Sequence, residues 1–149
     1  MYLLDTNVVS EIRKTGAGRA DPHVVTWANR VDTDLTYISA ITIQELEKGI
    51  LLAERRDRAL GSTLRSWLND DVYQTFEGRV LPVDTAVARI AASLHVPNPA
   101  PVTDALIAAT ALSHAMAVVT RNIGDFTRFR QLMVLNPWEP TSSTTDRTR

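Results

Sequence analysis

The chain has 149 residues, 44% of them hydrophobic, and carries 16 basic against 17 acidic side chains for a net charge of -1. That length suffices for one domain with a sizeable core, and the near-neutral balance excludes a bulk polycation that would coat nucleic acid indiscriminately. No apolar run approaches the roughly 20 residues of a membrane span, the opening MYLLDTN lacks a secretory pattern and cysteine is absent, so a soluble cytoplasmic protein without membrane partners is expected.

Tyr2-Leu3-Leu4 is a short apolar run stopped by Asp5, as expected of a buried parallel strand. Val8 to Lys14 reads as a short helix broken by Gly16 and Gly18, and Pro22 opens another with Val24, Val25, Trp27 and Ala28 on its apolar side. Leu35 to Ile38 is the second strand. From Ile43 a longer helical pattern carries Leu46, Ile50 and Leu51, with Gly49 inside it, and Glu54-Arg55-Arg56-Asp57-Arg58 reads as an exposed helix face of alternating sign. Ala59 to Leu68 follows as a helix with Leu60, Leu64, Trp67 and Leu68 on its core side. A weak third strand, Arg79 to Leu81, precedes the helix Thr85 to Leu94, whose core stripe is Val87, Ile90, Ala91 and Leu94.

Val96-Pro97-Asn98-Pro99-Ala100-Pro101 fits neither helix nor central strand and reads as a surface connection. It leads into Thr103 to Ala111, whose alanines suit a helix pressed closely onto a sheet. Ala117 to Thr120 is the fourth strand and Leu132 to Leu135 the fifth. Strands alternating with helices predict an α/β fold, three layers deep, around a mostly parallel sheet of four or five strands. The domain is expected to span residues 1–139, with 140–149 as a disordered tail.

Four acids fall where such a sheet would gather them. Ligands of open parallel sheets bind along the carboxyl edge of the strands. Asp5 closes the first strand there, Glu45 lies in the opening turn of the helix after the second, Asp104 opens the helix leading to the fourth, and Asp125 follows the fourth. Each has a plainer reading. Thr42-Ile43-Gln44-Glu45 is a capping box, Asp104 is a favourable charge at a helix N-terminus, and Asp125 sits beside Gly124 in a turn. Asp5, directly after three apolar residues, is the hardest to explain away, an Asx-type turn with Thr6 or Asn7 being the alternative. Together they point to Mg²⁺, or Mn²⁺, held by oxygen ligands, and to hydrolysis of a phosphodiester by metal-activated water. In that reading Asp5, Glu45, Asp104 and Asp125 are both the catalytic and the metal-holding residues. Thr6 or Thr120 orients a water, Arg121 meets a phosphate oxygen or forms a plain salt bridge, and Asn7 and Asn122 supply neutral oxygens or hold a carboxylate.

His23, His95 and His114 lie apart from the acids, which disfavours a zinc hydrolase or a histidine base. There is no nucleophile elbow, dinucleotide fingerprint or Walker A run, and Trp27, Trp67 and Trp138 read as packing residues. A metal-dependent phosphatase of the aspartyl-phosphate kind would carry a second acid where Asn7 stands. A receiver-like domain needs a lysine near the last strand, and neither Lys14 nor Lys48 is so placed. A non-catalytic scaffold or DNA-binding component leaves the gathering of acids without a reason.

Five segments resemble one known family in its own order. They are LLDTNVVSEI at 3–12, ISAITIQELEKGI at 38–50, LPVDTAVA at 81–88, DALIAATAL at 104–112, and VVTRNIGDF at 118–126 followed by VLNPW at 134–138. The chain resembles, over about residues 1–139, a PIN-domain ribonuclease toxin of the VapC type, in the plasmid-stability-protein branch of type II toxin-antitoxin systems. The resemblance implies a three-layer α/β/α domain, a Mg²⁺- or Mn²⁺-dependent endoribonuclease acting on RNA such as transfer or ribosomal RNA, and a cognate antitoxin. It places the family's acids on Asp5, Glu45, Asp104 and Asp125, with neutral Asn122 near a place where many relatives carry another acid. It further implies a homodimer and a toxin-antitoxin hetero-oligomer, with the antitoxin's C-terminal segment lying in a groove lined by the early helices and the DNA binding of the complex coming from the antitoxin.

Overall fold

A computed structural model describes residues 1–140; apart from Pro140, the tail expected at 140–149 lies outside the described residues. Five strands form one sheet in which every pairing is parallel: β1 (Tyr2–Leu4), β2 (Thr36–Ser39), β3 (Val80–Leu81), β4 (Ala117–Val119) and β5 (Val134–Leu135), in the order β3-β2-β1-β4-β5. The strands fall within two residues of expectation, because each is a short apolar run bounded by polar residues.

Between them run α1 (Thr6–Arg13), α2 (Pro22–Arg30), α3 (Ala40–Arg56), α4 (Arg58–Ser66), α5 (Tyr73–Thr75), α6 (Thr85–Leu94), α7 (Val102–Ser113) and α8 (Ile123–Phe126). Asp21, Asp57 and Asp84 each accept amide hydrogens at the start of the following helix, the capping that short side-chain oxygens do best. Glu11 is buried in α1 and accepts the Asp21 amide (2.9 Å) and Lys14 (3.0 Å), tying the start of α2 to α1. These bonds hold its carboxyl below the usual range, the Asp21 amide acting most strongly.

Strand alternation separates two cores. Leu3 and Val118 face one side with Ile41, Ala105, Ile107, Ala108, Phe126 and Phe129. Leu4, Ile38 and Val119 face the other with Val8, Trp27, Leu46, Ile50, Leu68 and Phe76. The first side is roofed by α7, and α6 lies on α7 through Val87, Ala91 and Ala109. The domain is therefore three-layered, as the sequence predicts, with a wholly parallel sheet.

Three local expectations need correction. α3 starts at Ala40, three residues before the Ile43 pattern, because Ser39 accepts the Ile41 amide (3.0 Å) and caps the helix. The run Glu54 to Arg58 is no continuous face: Asp57 leaves helical geometry, ends α3 and caps α4. Beyond α4 a π-helical stretch, Trp67–Val72, carries the chain to α5, and Leu60, assigned to the core side, is 45% exposed.

Candidate active site

In this strand order the chain leaves β1 towards β2 on one side and reaches β4 on the other. The topological switch point is thus the crevice between β1 and β4, where ligands of such sheets bind. Asp5 and Thr120 end those two strands, and they touch. The Asp5 amide donates to the Val119 carbonyl (2.9 Å), extending the ladder by one rung, and the buried Thr120 hydroxyl donates to Asp5 Oδ2 (2.8 Å). The Thr6 amide donates to Asp5 Oδ1 (2.8 Å), so Asp5 also caps α1, and Asn7 Nδ2 reaches Asp5 Oδ2 at 3.4 Å.

Thr120 accepts the Asn122 amide (3.0 Å) and Asn7 Nδ2 (3.4 Å), and Asn7 Oδ1 accepts the Arg121 amide (3.3 Å). With its single proton given to Asp5, the Thr120 hydroxyl acts here as a carboxylate holder rather than the water holder anticipated from sequence. Thr6 is the second holder: its hydroxyl meets Glu45 Oε1 at 3.0 Å and the fully buried Thr42 Oγ1 at 3.3 Å. This removes the capping box. With Ser39 as the cap, Glu45 falls in the second turn of α3 and its carboxylate points to Thr6, while Thr42 belongs to the floor of the site. Sequence reasoning missed Thr42 by assigning it to the cap; the signal that recovers it is Ser39, a better placed cap one helical turn earlier.

Asp104 lies in the first turn of α7, as expected, and exposed Asp125 in the four-residue α8. Hydrogen bonds therefore join Asp5, Thr6, Asn7, Glu45 and Thr120, whereas charge links the remaining two acids to them. Burial pushes the Asp5 carboxyl up against the pull of Thr120 and Thr6, and Asp125 adds to the push. Partial burial raises the Asp104 carboxyl, reinforced by Asp125, Asp5 and Glu45 in that order. Glu45, exposed overall, is raised by partial desolvation and by Asp5, against the hydrogen bond from Thr6 and the charge of Lys48. Among the described residues no three acidic or histidine side chains are gathered tightly enough to enclose an ion unaided.

The remaining expected residues lie at the rim. Arg121 is exposed, stacked 5.4 Å from the Trp138 ring centroid, and among the described residues no carboxylate salt bridge holds it. No hydrogen bond engages the Asn122 side chain among the described residues. Of the histidines, His95 Nδ1 accepts the Ala100 amide (3.0 Å).

A model of the PIN domain matches residues 2–132. The chain belongs to the PIN domain family. It is 35% identical over 144 residues to the toxin FitB of Neisseria gonorrhoeae, covering 93% of this chain and 99% of that one. It is 34% identical over 145 residues to the VapC ribonuclease Y4jK of Sinorhizobium fredii, covering 94% and 99%. The structure superposes with a TM-score of 0.81 on FitAB bound to a DNA fragment, at 33% identity and with 93% of this chain and 96% of that one covered. This PIN domain therefore shares its fold with the FitAB structure over 93% of its length. No helix among its described residues is long and apolar enough to cross a membrane.

The raised acids of this PIN domain carry a stability consequence. A carboxyl whose folded pKa exceeds its unfolded value weakens the fold above the folded pKa, and the penalty vanishes below the unfolded one. Without metal, Asp104→Asn is expected to melt at or above the wild-type temperature at pH 7, the difference shrinking as pH falls through the acidic range. Calorimetric scans in chelator across that range check it; a clear loss of stability would assign Asp104 a structural role.

Proposed function

We propose that this chain is the toxin of a type II toxin-antitoxin pair and a Mg²⁺- or Mn²⁺-dependent endoribonuclease, with its nuclease domain at residues 1–139. The observation that carries the reading is the buried Asp5, fixed by Thr120 at the switch point and charge-coupled to acids from three other segments. Burial first and mutual repulsion second raise these carboxyls, and an oxygen-ligated divalent ion would relieve both. The donor set fits: it contains carboxylates, hydroxyls and amides, and neither sulfur nor imidazole. The looseness of the cluster suits an ion that keeps part of its water shell, as Mg²⁺ does.

Asp5, Glu45, Asp104 and Asp125 would hold that ion. When bound it lowers the pKa of a water and shields the phosphate. Thr120 and Asn7 fix the Asp5 carboxylate, Thr6 turns Glu45 inward, and Asn122 leaves the Asp125 side the less charged. Arg121, resting on Trp138 and paired with no carboxylate among the described residues, would meet a phosphate oxygen of the RNA.

The partner reading rests on a second feature. A cavity of about 400 Å³ opens between α1, α2 and the π-helical stretch, lined by Leu4, Val9, Ile12, Trp27, Trp67 and Phe76. An apolar segment of a cognate antitoxin would fill it, and DNA binding would belong to the resulting complex rather than to this chain. A homodimer and a hetero-oligomer with the antitoxin complete the proposal. The phosphatase alternative gains nothing from Asn7, whose amide holds Asp5 and accepts the Arg121 backbone.

The test is a panel of transfer and ribosomal RNA fragments incubated with the pure protein in Mg²⁺, Mn²⁺ or chelator. Cleavage in metal alone, leaving 5′-phosphate and 3′-hydroxyl ends, is expected of attack by water. Products ending in a 2′,3′-cyclic phosphate would overturn the mechanism.

A further inference from the structure

We propose that Arg128 is a positioning residue that sets the separation of Asp104 and Asp125. The assignment rests on reading those acids as metal-holding and adds the device that keeps them together. Both carry negative charge, and Asp125 exerts the largest charge effect on Asp104. They also stand on separate elements, and α8, with four residues, is too short to hold its own place.

Two things oppose their parting. Phe126 and Phe129 are buried in the same core as Ala105, Ile107 and Ala108 of α7. The other is Arg128, whose guanidinium lies 5.7 Å from the Phe129 ring centroid and whose two terminal nitrogens donate to Asn98 O (2.8 Å) and Pro99 O (3.0 Å). Those carbonyls belong to the proline-rich connection that ends at Pro101, the residue whose carbonyl accepts the Ala105 amide and starts α7. Arg128 thus joins the segment just after Asp125 to the segment just before Asp104. With both terminal nitrogens engaged, Arg128 is committed to the proline-rich connection.

The experiment uses the full chain, Arg128→Gln and Arg128→Lys, each also in an Asp125→Asn background. Mn²⁺ binding is measured by calorimetry without RNA, and amide exchange is followed at Ala105 and Asp125. Loss of a supporting partner typically weakens metal affinity about 10–100-fold. Arg128→Gln is expected to weaken Mn²⁺ binding by at least about tenfold on that scale, to speed exchange at both amides, and to lower kcat with the RNA KM unchanged. Lysine, able to reach one carbonyl, falls between. In Asp125→Asn the glutamine substitution should cost no further Mn²⁺ affinity, because the acid it places is gone.

Unchanged Mn²⁺ affinity and exchange would overturn the proposal, as would a loss that persists in full without Asp125. A rise in KM alone would make Arg128 an RNA contact instead. If wild type binds no Mn²⁺, the metal reading falls and this assignment with it. If wild type binds and cleaves while Arg128→Gln does the same, only this assignment falls.

Discussion

Asp5→Asn is expected to abolish RNA cleavage while leaving the fold in place. Asparagine keeps an oxygen for the Thr6 amide and is as good a helix cap as aspartate, so α1 should survive. What disappears is the charge at the buried acid of the cluster, which is held by Thr120 on one side and by the first turn of α1 on the other. We expect kcat/KM to fall by more than about a thousandfold, on the order of 4 kcal/mol in the barrier, with an unchanged circular dichroism spectrum. Asp5→Ala is the informative contrast. It removes the cap and strands the buried Thr120 hydroxyl, so it should add a stability loss of about 1–3 kcal/mol. Equal cleavage by wild type and Asp5→Asn would place the activity at another site or in a contaminant.

A stability effect of similar size is expected far from the acids. α3 and α4 meet at Gly61, where an added Cβ would come within 2.5 Å of Glu54 Cγ and 2.6 Å of its Cα. The side-chain atom can swing away, but the backbone atom cannot. Gly61→Ala should therefore destabilise by about 2 kcal/mol: overpacking costs about 1–3 kcal/mol and sits here at the upper end, offset in part by alanine's roughly 1 kcal/mol helix advantage. Separating the helices would also strain the pairs from Arg65 to Glu54 (2.9 Å) and Glu47 (2.6 Å). Gly49→Ala is the control, since an added Cβ there meets nothing within 4 Å and the helix should gain about 0.4–1 kcal/mol. Urea denaturation of the two variants checks both signs; a stabilised Gly61→Ala would show that the crossing relaxes freely.

The parts of the fold legible in the sequence are those decided locally. Leu3 and Leu4 before Asp5, Pro22 after Asp21, and the proline run before Thr103 each carry their own stop or start signal, and the elements appear where those signals fall. Where two local signals compete, the tertiary structure chooses. Ser39 and Thr42 can both cap a helix, but Thr42 is needed beneath Thr6, so Ser39 takes the cap and Glu45 moves out of the first turn. Leu60 looks apolar enough for the core, yet the phase of α4 is set by the close approach of Gly61 to α3, and Leu60, about 100° round the helix from Gly61, is left facing solvent. Sequence likewise holds no mark of Arg128, because its partners are backbone carbonyls some thirty residues away. Asp5 after its strand and Asp104 and Asp125 at the starts of their helices are marked locally as candidates on one edge of the sheet, whereas Glu45 lies in the second turn of α3 and its link to Thr6 has no mark in the sequence.

The register of the first strand bears on folding fidelity. Leu3 pairs with Val118 and Leu4 with Val119, each facing a different core, and Asp5 takes the next rung. A slip of β1 by one residue would exchange the two leucines between layers and turn Asp5 away from the Thr120 hydroxyl. A chain folded in that register would lose packing on both faces together with its site. Three residues thus serve as a checksum: a misaligned product is too unstable to accumulate as an intact but inactive species.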